Sequence, residues 1–273
     1  FTFFGFDIVF TTTIHYINNK DNYLTKYIAE NSDGINPASK WVYDRILNYK
    51  KVTKNKVFYT DHPSVYYEEM MKHSLKDKSE FLKKMNIPID KKIICYAGKV
   101  GPNHKELNYF LESSKYIRSE DAIILVIGAR KETGAFDFYK NYLKKKKLNN
   151  VIIKKHLPVK TLMQLLRCCD ILVSYYSAAN KLAKQMKPAK LSMYLCAEKP
   201  IIFGDIPALR EFLDEDSVYF VEPDKPAKLG EKISYILEHK NESKIKAKNC
   251  LKLAQKFSVE NITINKLKFV DRL

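Results

Sequence analysis

The sequence predicts an α/β fold: a Rossmann-like parallel sheet with helices on both faces, preceded by a partial N-terminal α/β domain. Three observations point there. From Asp90 onward, short apolar runs alternate with helical stripes without interruption, as in strand–helix–strand units whose crossovers keep the strands parallel. Those runs are apolar at nearly every position, as expected of strands covered on both faces. The chain has 273 residues, 45% hydrophobic and 29% charged, so it is globular and long enough for one large or two small domains.

The elements follow in order. FDIVFTTT (6–13) is a strand candidate. Residues 18–36 carry Asn, Asp and Gly at both ends, with a short amphipathic piece at Tyr23, Leu24, Tyr27 and Ile28. Trp41, Ile46 and Leu47 suit a helix, and Asn55–Tyr59 a second short strand. Tyr66 to Asn86 is densely charged and helical, and Asn86–Asp90 reads as a linker. Strands are then expected at 92–97, 122–128, 151–153, 171–176, 200–204 and 218–221. Between them lie helical faces marked by Leu107, Phe110 and Leu111, by Phe136, Tyr139 and Leu143, and by Leu162, Leu165 and Leu166. Lys187 to Phe212 organises the rest: helix, turn, strand, loop, helix, with Pro188 where a first helical position tolerates proline. Leu229, Ile233 and Ile236 mark a further helix.

The formal net charge is +17, and lysine supplies 42 of the 48 basic residues. Such a balance suits anionic partners: phosphorylated substrates, a membrane surface or nucleic acid. Arginine, the usual reader of bases and phosphates, is scarce, and no RNA-recognition or zinc pattern is present, so a specific nucleic-acid partner is not expected. The bland reading is a solvated, lysine-rich surface. The five cysteines lie mostly in apolar runs without metal spacing, which fits reduced thiols, a cytoplasmic location and no metal site. No run is long enough to span a membrane. The chain starts at Phe1 without methionine or a signal peptide, so it reads as the tail of a longer protein.

In a doubly wound sheet, ligands bind beyond the carboxyl ends of the strands. After the first strand come Gly98, Lys99, Gly101, His104 and Lys105; glycines let a ligand approach and lysines can meet a diphosphate. Arg130 follows the second strand, His156 and Leu157 the third, and Tyr176 the fourth, leading to Lys187 and Lys190. There is no G-x-G-x-x-G, Walker A or H-E-x-x-H motif, and no nucleophile elbow.

PAKLSMYLCAEKPIIFGDIPALRE (188–211) resembles the donor-site signature of the retaining, nucleotide-sugar-dependent glycosyltransferases of the GT-B type (group 1, or family 4-like). YAGKVGPNHKEL (96–107) is similar to their first strand running into the diphosphate lysines, and residues 150–177 to their next strand–loop–helix–strand. The ending QKFSVENITINKLKFVDRL is similar to their last helix, which crosses back to the first domain. The resemblance implies a partial acceptor-side domain and linker at 1–89, a nucleotide-sugar donor domain at 90–257 and a crossover helix at 258–273. It implies donor contacts at Lys99, Lys105, Leu157, Ala189, Lys190 and Glu211, with the catalytic residues unassigned. It also implies a nucleotide-sugar substrate without cofactor or metal, a glycan or lipid acceptor, and a cytoplasmic enzyme with peripheral membrane contact as a further option. Two departures stand out: the family's ribose-contacting glutamate falls on Met193, and its sugar-contacting glutamate near Gln185. Restoring the carboxylate with Met193→Glu is expected to strengthen binding. With residues 1–89 covering only the end of the acceptor side, the chain alone is expected to turn over no sugar. The alternatives are a catalytically inactive nucleotide-binding fragment and a basic nucleic-acid or membrane-surface binding protein.

Overall fold

The computed structural model describes residues 2–3, 6–7, 11–14, 23–37, 39–59, 66–72, 77–102, 104–177 and 190–271. Four short strands open the chain: β1 (Thr2–Phe3), β2 (Phe6–Asp7), β3 (Thr11–Ile14) and β4 (Gly34–Pro37). β1 and β2 pair antiparallel, whereas β3 and β4 pair parallel across α1 (Tyr23–Glu30). Helix α2 (Lys40–Ile46) is capped by Ser39, whose hydroxyl accepts from the Val42 N–H. Ala29, Ile35, Val42, Ile46 and Val57 close a small core of their own.

Asn55–Tyr59 does not form the expected strand. Lys54–Lys56 makes a single 3-10 turn, and only Val57 bridges to Ile35. The Lys-Asn-Lys triplet offers no apolar alternation there. The partner strand β4 lies instead in a segment whose Gly, Asn and Pro read as turn residues.

Helices α3 (Tyr67–Lys72) and α4 (Lys78–Lys84) lead into the main sheet, and Asp77 caps α4 by accepting from the Glu80 N–H at 2.9 Å. The sheet strands are β5 (Lys92–Val100), β6 (Ala122–Ala129), β7 (Val151–Lys155), β8 (Ile171–Ser174), β9 (Ile201–Gly204) and β10 (Tyr219–Val221). All six are parallel, in the order β10-β9-β8-β5-β6-β7. The strand order reverses between β5 and β8, which is where a doubly wound sheet opens a crevice.

The connecting helices are α5 (Lys105–Ser113), α6 (Ala135–Lys146), α7 (Val159–Cys168), α8 (Lys190–Leu195), α9 (Pro207–Arg210) and α10 (Pro226–Glu238). Period-two alternation sorts the strand side chains into two layers. Ile94, Tyr96, Ile124, Val126 and Val173 pack with Phe110, Tyr139 and Ile233 of α5, α6 and α10. Ile93, Cys95, Leu125, Leu172 and Phe203 pack on the other face with Leu165, Met193, Tyr194 and Cys250. Burial on both faces is why these strands carry no polar alternation. The lysines at the end of α6 sit at its C-terminus, where cations are favourable, and Lys147 closes the helix in the left-handed region. Helix α11 (Lys240–Lys256) is largely polar and shows only a narrow buried stripe. The last helix, α12 (Val259–Val270), begins at Ser258, whose hydroxyl accepts from Asn261. Its Phe269 stacks on Phe58 at 4.8 Å between centroids, so it reaches the N-terminal segment.

Candidate active site

The crevice at the switch point is built by three devices. First, β5 pairs with β8 only through Ile94 and Cys95; beyond that the two strands part. The Tyr194 hydroxyl, fully buried on α8, fills the gap: it accepts from the Ala97 N–H at 2.7 Å and lies 3.3 Å from the Val173 carbonyl. Burial raises its pKa well above the ordinary range, so the hydroxyl stays protonated and able to donate. Second, the register of β5 against β6 shifts between Ala97 and Val100, which releases Gly98 and Lys99 from regular pairing. Third, the backbones of Gly98 and Gly128 nearly touch. A Cβ on Gly128, whose φ is +121°, would fall 1.8 Å from the Gly98 carbonyl oxygen, so only glycine fits.

Into this crevice comes Lys190. Its ammonium lies 3.9 Å from the Tyr96 ring centroid and 5.7 Å from that of Tyr176. A Cβ on Gly98 would meet it at 3.0 Å. Among the described residues no carboxylate comes within ion-pair distance of it. Burial lowers the Lys190 pKa, against the opposing fields of Tyr176 and Glu106. Burial likewise raises that of Tyr96, with Glu106 adding to the effect. At the start of α5, the His104 N–H donates to the Tyr139 hydroxyl at 3.0 Å, and its Nδ1 is 3.5 Å from Glu106. Burial lowers the imidazole pKa, Glu106 opposes this and Lys190 reinforces it. Buried Tyr139 is pushed up to about 12.

The residues expected from the sequence fall as follows. Lys99 is exposed at the end of β5, and Lys105 is exposed as the first residue of α5. Leu157 is half-buried after β7, packed against the core layer that contains Met193. Ala189 lies outside the described residues, as do Lys187, Pro188 and Gln185. Glu211 follows α9 and is held by the N-terminal segment: its Oε2 accepts from the Lys40 backbone N–H at 2.8 Å and from the Tyr59 hydroxyl at 2.5 Å. Burial and then Glu211 raise the Tyr59 pKa strongly, so the phenol remains a donor. Met193 is 7% exposed and packed in the core layer. Tyr176 is named from the sequence as following the fourth strand, whereas Tyr96 and Tyr194 are given no site role there; their place on β5 and on α8 is the available signal.

A second charged region lies at the β10 edge, around a groove of about 310 Å³. Arg210 stacks over Phe220 at 3.8 Å and binds Asp205 through two nitrogens, at 2.8 and 2.9 Å, and Glu215 at 2.9 Å. Tyr235 donates to Glu242 at 2.6 Å, and Lys246 reaches the Glu215 carbonyl. The main charges there satisfy one another. All five cysteines are free and buried. Among the described residues no group of three or more metal-ligating side chains comes together, and no helix is long and apolar enough to cross a membrane.

The family described as Glycosyl transferases group 1 matches residues 77–256, which is most of the chain. No curated protein matches the sequence. Among solved structures, HepE from Anabaena, in complex with UDP and glucose, is similar over 96% of this chain and 71% of its own, with a TM-score of 0.79 and 12% identity. A glycosyltransferase from Rickettsia africae is similar over 96% and 70%, with a TM-score of 0.75 and 17% identity. Sucrose-phosphate synthase from Thermosynechococcus elongatus is similar over 98% and 68%, with a TM-score of 0.72 and 14% identity. At these identities the likeness establishes the GT-B type of fold.

Proposed function

The chain belongs to the group 1 glycosyl transferases, and on that premise we propose that it carries the donor-binding side of a retaining sugar transfer. The donor is a nucleotide sugar, with UDP the first nucleotide to test because the Anabaena relative was solved with it. The observation that supports this most is the parting of β5 and β8 with the Lys190 ammonium between them, followed by exposed lysines at the end of β5 and the start of α5. In this reading the diphosphate is the leaving group. Lys190 meets it within the crevice, Lys99 and Lys105 approach from solvent, and Leu157 borders the base together with the backbone at Ala189.

Cations placed where negative charge develops lower the barrier by electrostatic stabilisation, most effectively where water is excluded. In this reading the protein's own ammonium groups supply the positive charge, and the proposed transfer calls on no metal or other cofactor. Glu211 is assigned to holding the N-terminal segment, since Lys40 and Tyr59 already occupy its Oε2. Residues 1–89 would supply the end of the acceptor side and the linker, 90–257 the donor domain and 258–273 the crossover helix. The acceptor is a glycan or a lipid, and the basic surface offers a peripheral contact with an anionic membrane. One observation favours a second reading, an inactive nucleotide-binding fragment: Met193 stands buried where the resemblance places a ribose-binding glutamate.

Calorimetric titration with UDP, GDP and a short RNA in moderate salt tests the assignment. Nucleoside diphosphate is expected to bind, with Lys99→Ala and Lys105→Ala each losing about tenfold in affinity, the value of a charge-assisted contact. Unchanged affinity in both variants would remove these lysines from the site. Binding of RNA but not of diphosphate would favour the nucleic-acid alternative.

A further inference from the structure

We propose that Tyr96, with Tyr176 beside it, is a positioning residue that holds the Lys190 ammonium inside the crevice while leaving its charge available to an anion. The inference rests on the donor-binding reading above and adds residues to it that neither the family match nor the comparisons assign.

A buried ammonium needs compensation, and a protein supplies it in one of two ways. A carboxylate neutralises the charge and hydrogen-bonds it, but must then be displaced or repelled when an anionic ligand arrives. An aromatic face attracts the cation through its quadrupole and keeps no formal charge of its own. Lys190 follows the second course, with Tyr96 at 3.9 Å and Tyr176 at 5.7 Å, while Glu106 contributes only a field from beyond ion-pair distance.

Tyr96 lies on β5 and Tyr176 just after β8, the two strands that part at the switch point. Tyr96 is 4% exposed, in the layer that includes Phe110, whose ring lies 6.1 Å away, so its orientation is fixed by packing. The ammonium also rests against Gly98, where a side chain would crowd it at 3.0 Å. The lysine is thus confined from below by a ring and from the side by bare backbone.

The test is a double-mutant cycle on the intact chain, read by calorimetry with UDP, GDP and inorganic pyrophosphate. Tyr96→Leu removes the ring and is expected to weaken diphosphate binding by roughly two- to thirtyfold. Tyr96→Phe keeps the ring and is expected to stay within about twofold of wild type. In a Lys190→Met background, Tyr96→Leu should cost nothing further, because the ring acts only through the ammonium. Equal losses in both backgrounds would make Tyr96 a packing residue and overturn the proposal, as would wild-type affinity in Tyr96→Leu. If Tyr96→Leu fails to fold, Tyr176→Leu, at a half-buried position, carries the same cycle with the same expected and contrary results. Failure of the wild-type chain to bind any of the three probes would remove the donor-binding reading itself, and the proposal with it.

Discussion

Lys190 and Arg210 are two cations laid on aromatic rings at nearly the same distance, 3.9 Å from Tyr96 and 3.8 Å from Phe220. They differ in everything else. Arg210 is flanked by Asp205 and Glu215, sits at the open edge of the sheet and has its charge answered twice. Lys190 lies at the switch point against two rings and backbone; Glu106 acts on it as a field, and among the described residues no carboxylate is within ion-pair distance. The comparison teaches that contact with a ring does not by itself mark a binding site. What separates a structural cation from one ready for a ligand is whether carboxylates have already answered its charge.

The Arg210 cluster behaves as a surface network. Arg210 holds the Asp205 carboxyl below its usual range. The stability this adds is present above the ordinary carboxylate pKa and is lost as pH falls through the lowered value. With both side chains more than a third exposed, solvent screening keeps the gain to about 1 kcal/mol or less.

The contrast breaks most forcefully if a carboxylate is introduced near Lys190. Met193 lies one turn further along α8, in the core layer. Met193→Glu is expected to cost roughly 3 kcal/mol at neutral pH, because an apolar niche must accept a charge. Burial raises a carboxyl pKa in the folded state. The loss should therefore be small below the ordinary carboxylate range and grow as pH rises above it. Thermal unfolding across that range checks the expectation. Undiminished stability with tighter diphosphate binding would instead support the gain expected from the sequence resemblance.

A smaller effect sharpens the role of the carboxylates. Glu211, next to Arg210, is engaged by Tyr59 from 152 residues away. Tyr59→Phe should lower stability by about 1 kcal/mol, the net worth of one hydrogen bond, and leave diphosphate affinity unchanged. Urea unfolding and calorimetry on the same preparation read both quantities. A loss of affinity comparable to that of Lys99→Ala would return Glu211 to the donor site.

Much of the main sheet was legible in the sequence because its central strands are doubly buried. Runs such as AIILVIG leave little room for another element, and their spacing by helical stripes implies parallel pairing. The N-terminal unit was harder to read. Its parallel pair is four residues long, and Gly34 and Pro37 of β4 carry turn signals that tertiary packing overrides. Helix α11 escaped separate notice because its polar composition leaves only Ser243, Ala247, Cys250 and Ala254 as a buried stripe. In the site, glycines and lysines after a strand were visible as a local pattern. The Tyr194 link between β5 and β8, the ring beneath Lys190 and the Tyr59–Glu211 contact were not. Each joins residues far apart in the chain, and a tyrosine in an apolar run carries no mark of where its hydroxyl or ring face ends up.

In the proposed reading Lys190, and not the similarly stacked Arg210, serves an anionic ligand. Calorimetry with UDP and GDP on wild type, Lys190→Met and Arg210→Met tests it directly. A loss of about tenfold or more in diphosphate affinity is expected for Lys190→Met, the value of a charge-assisted contact, and a change within about twofold for Arg210→Met. Equal affinity for wild type and Lys190→Met, or a larger loss in Arg210→Met, would contradict it.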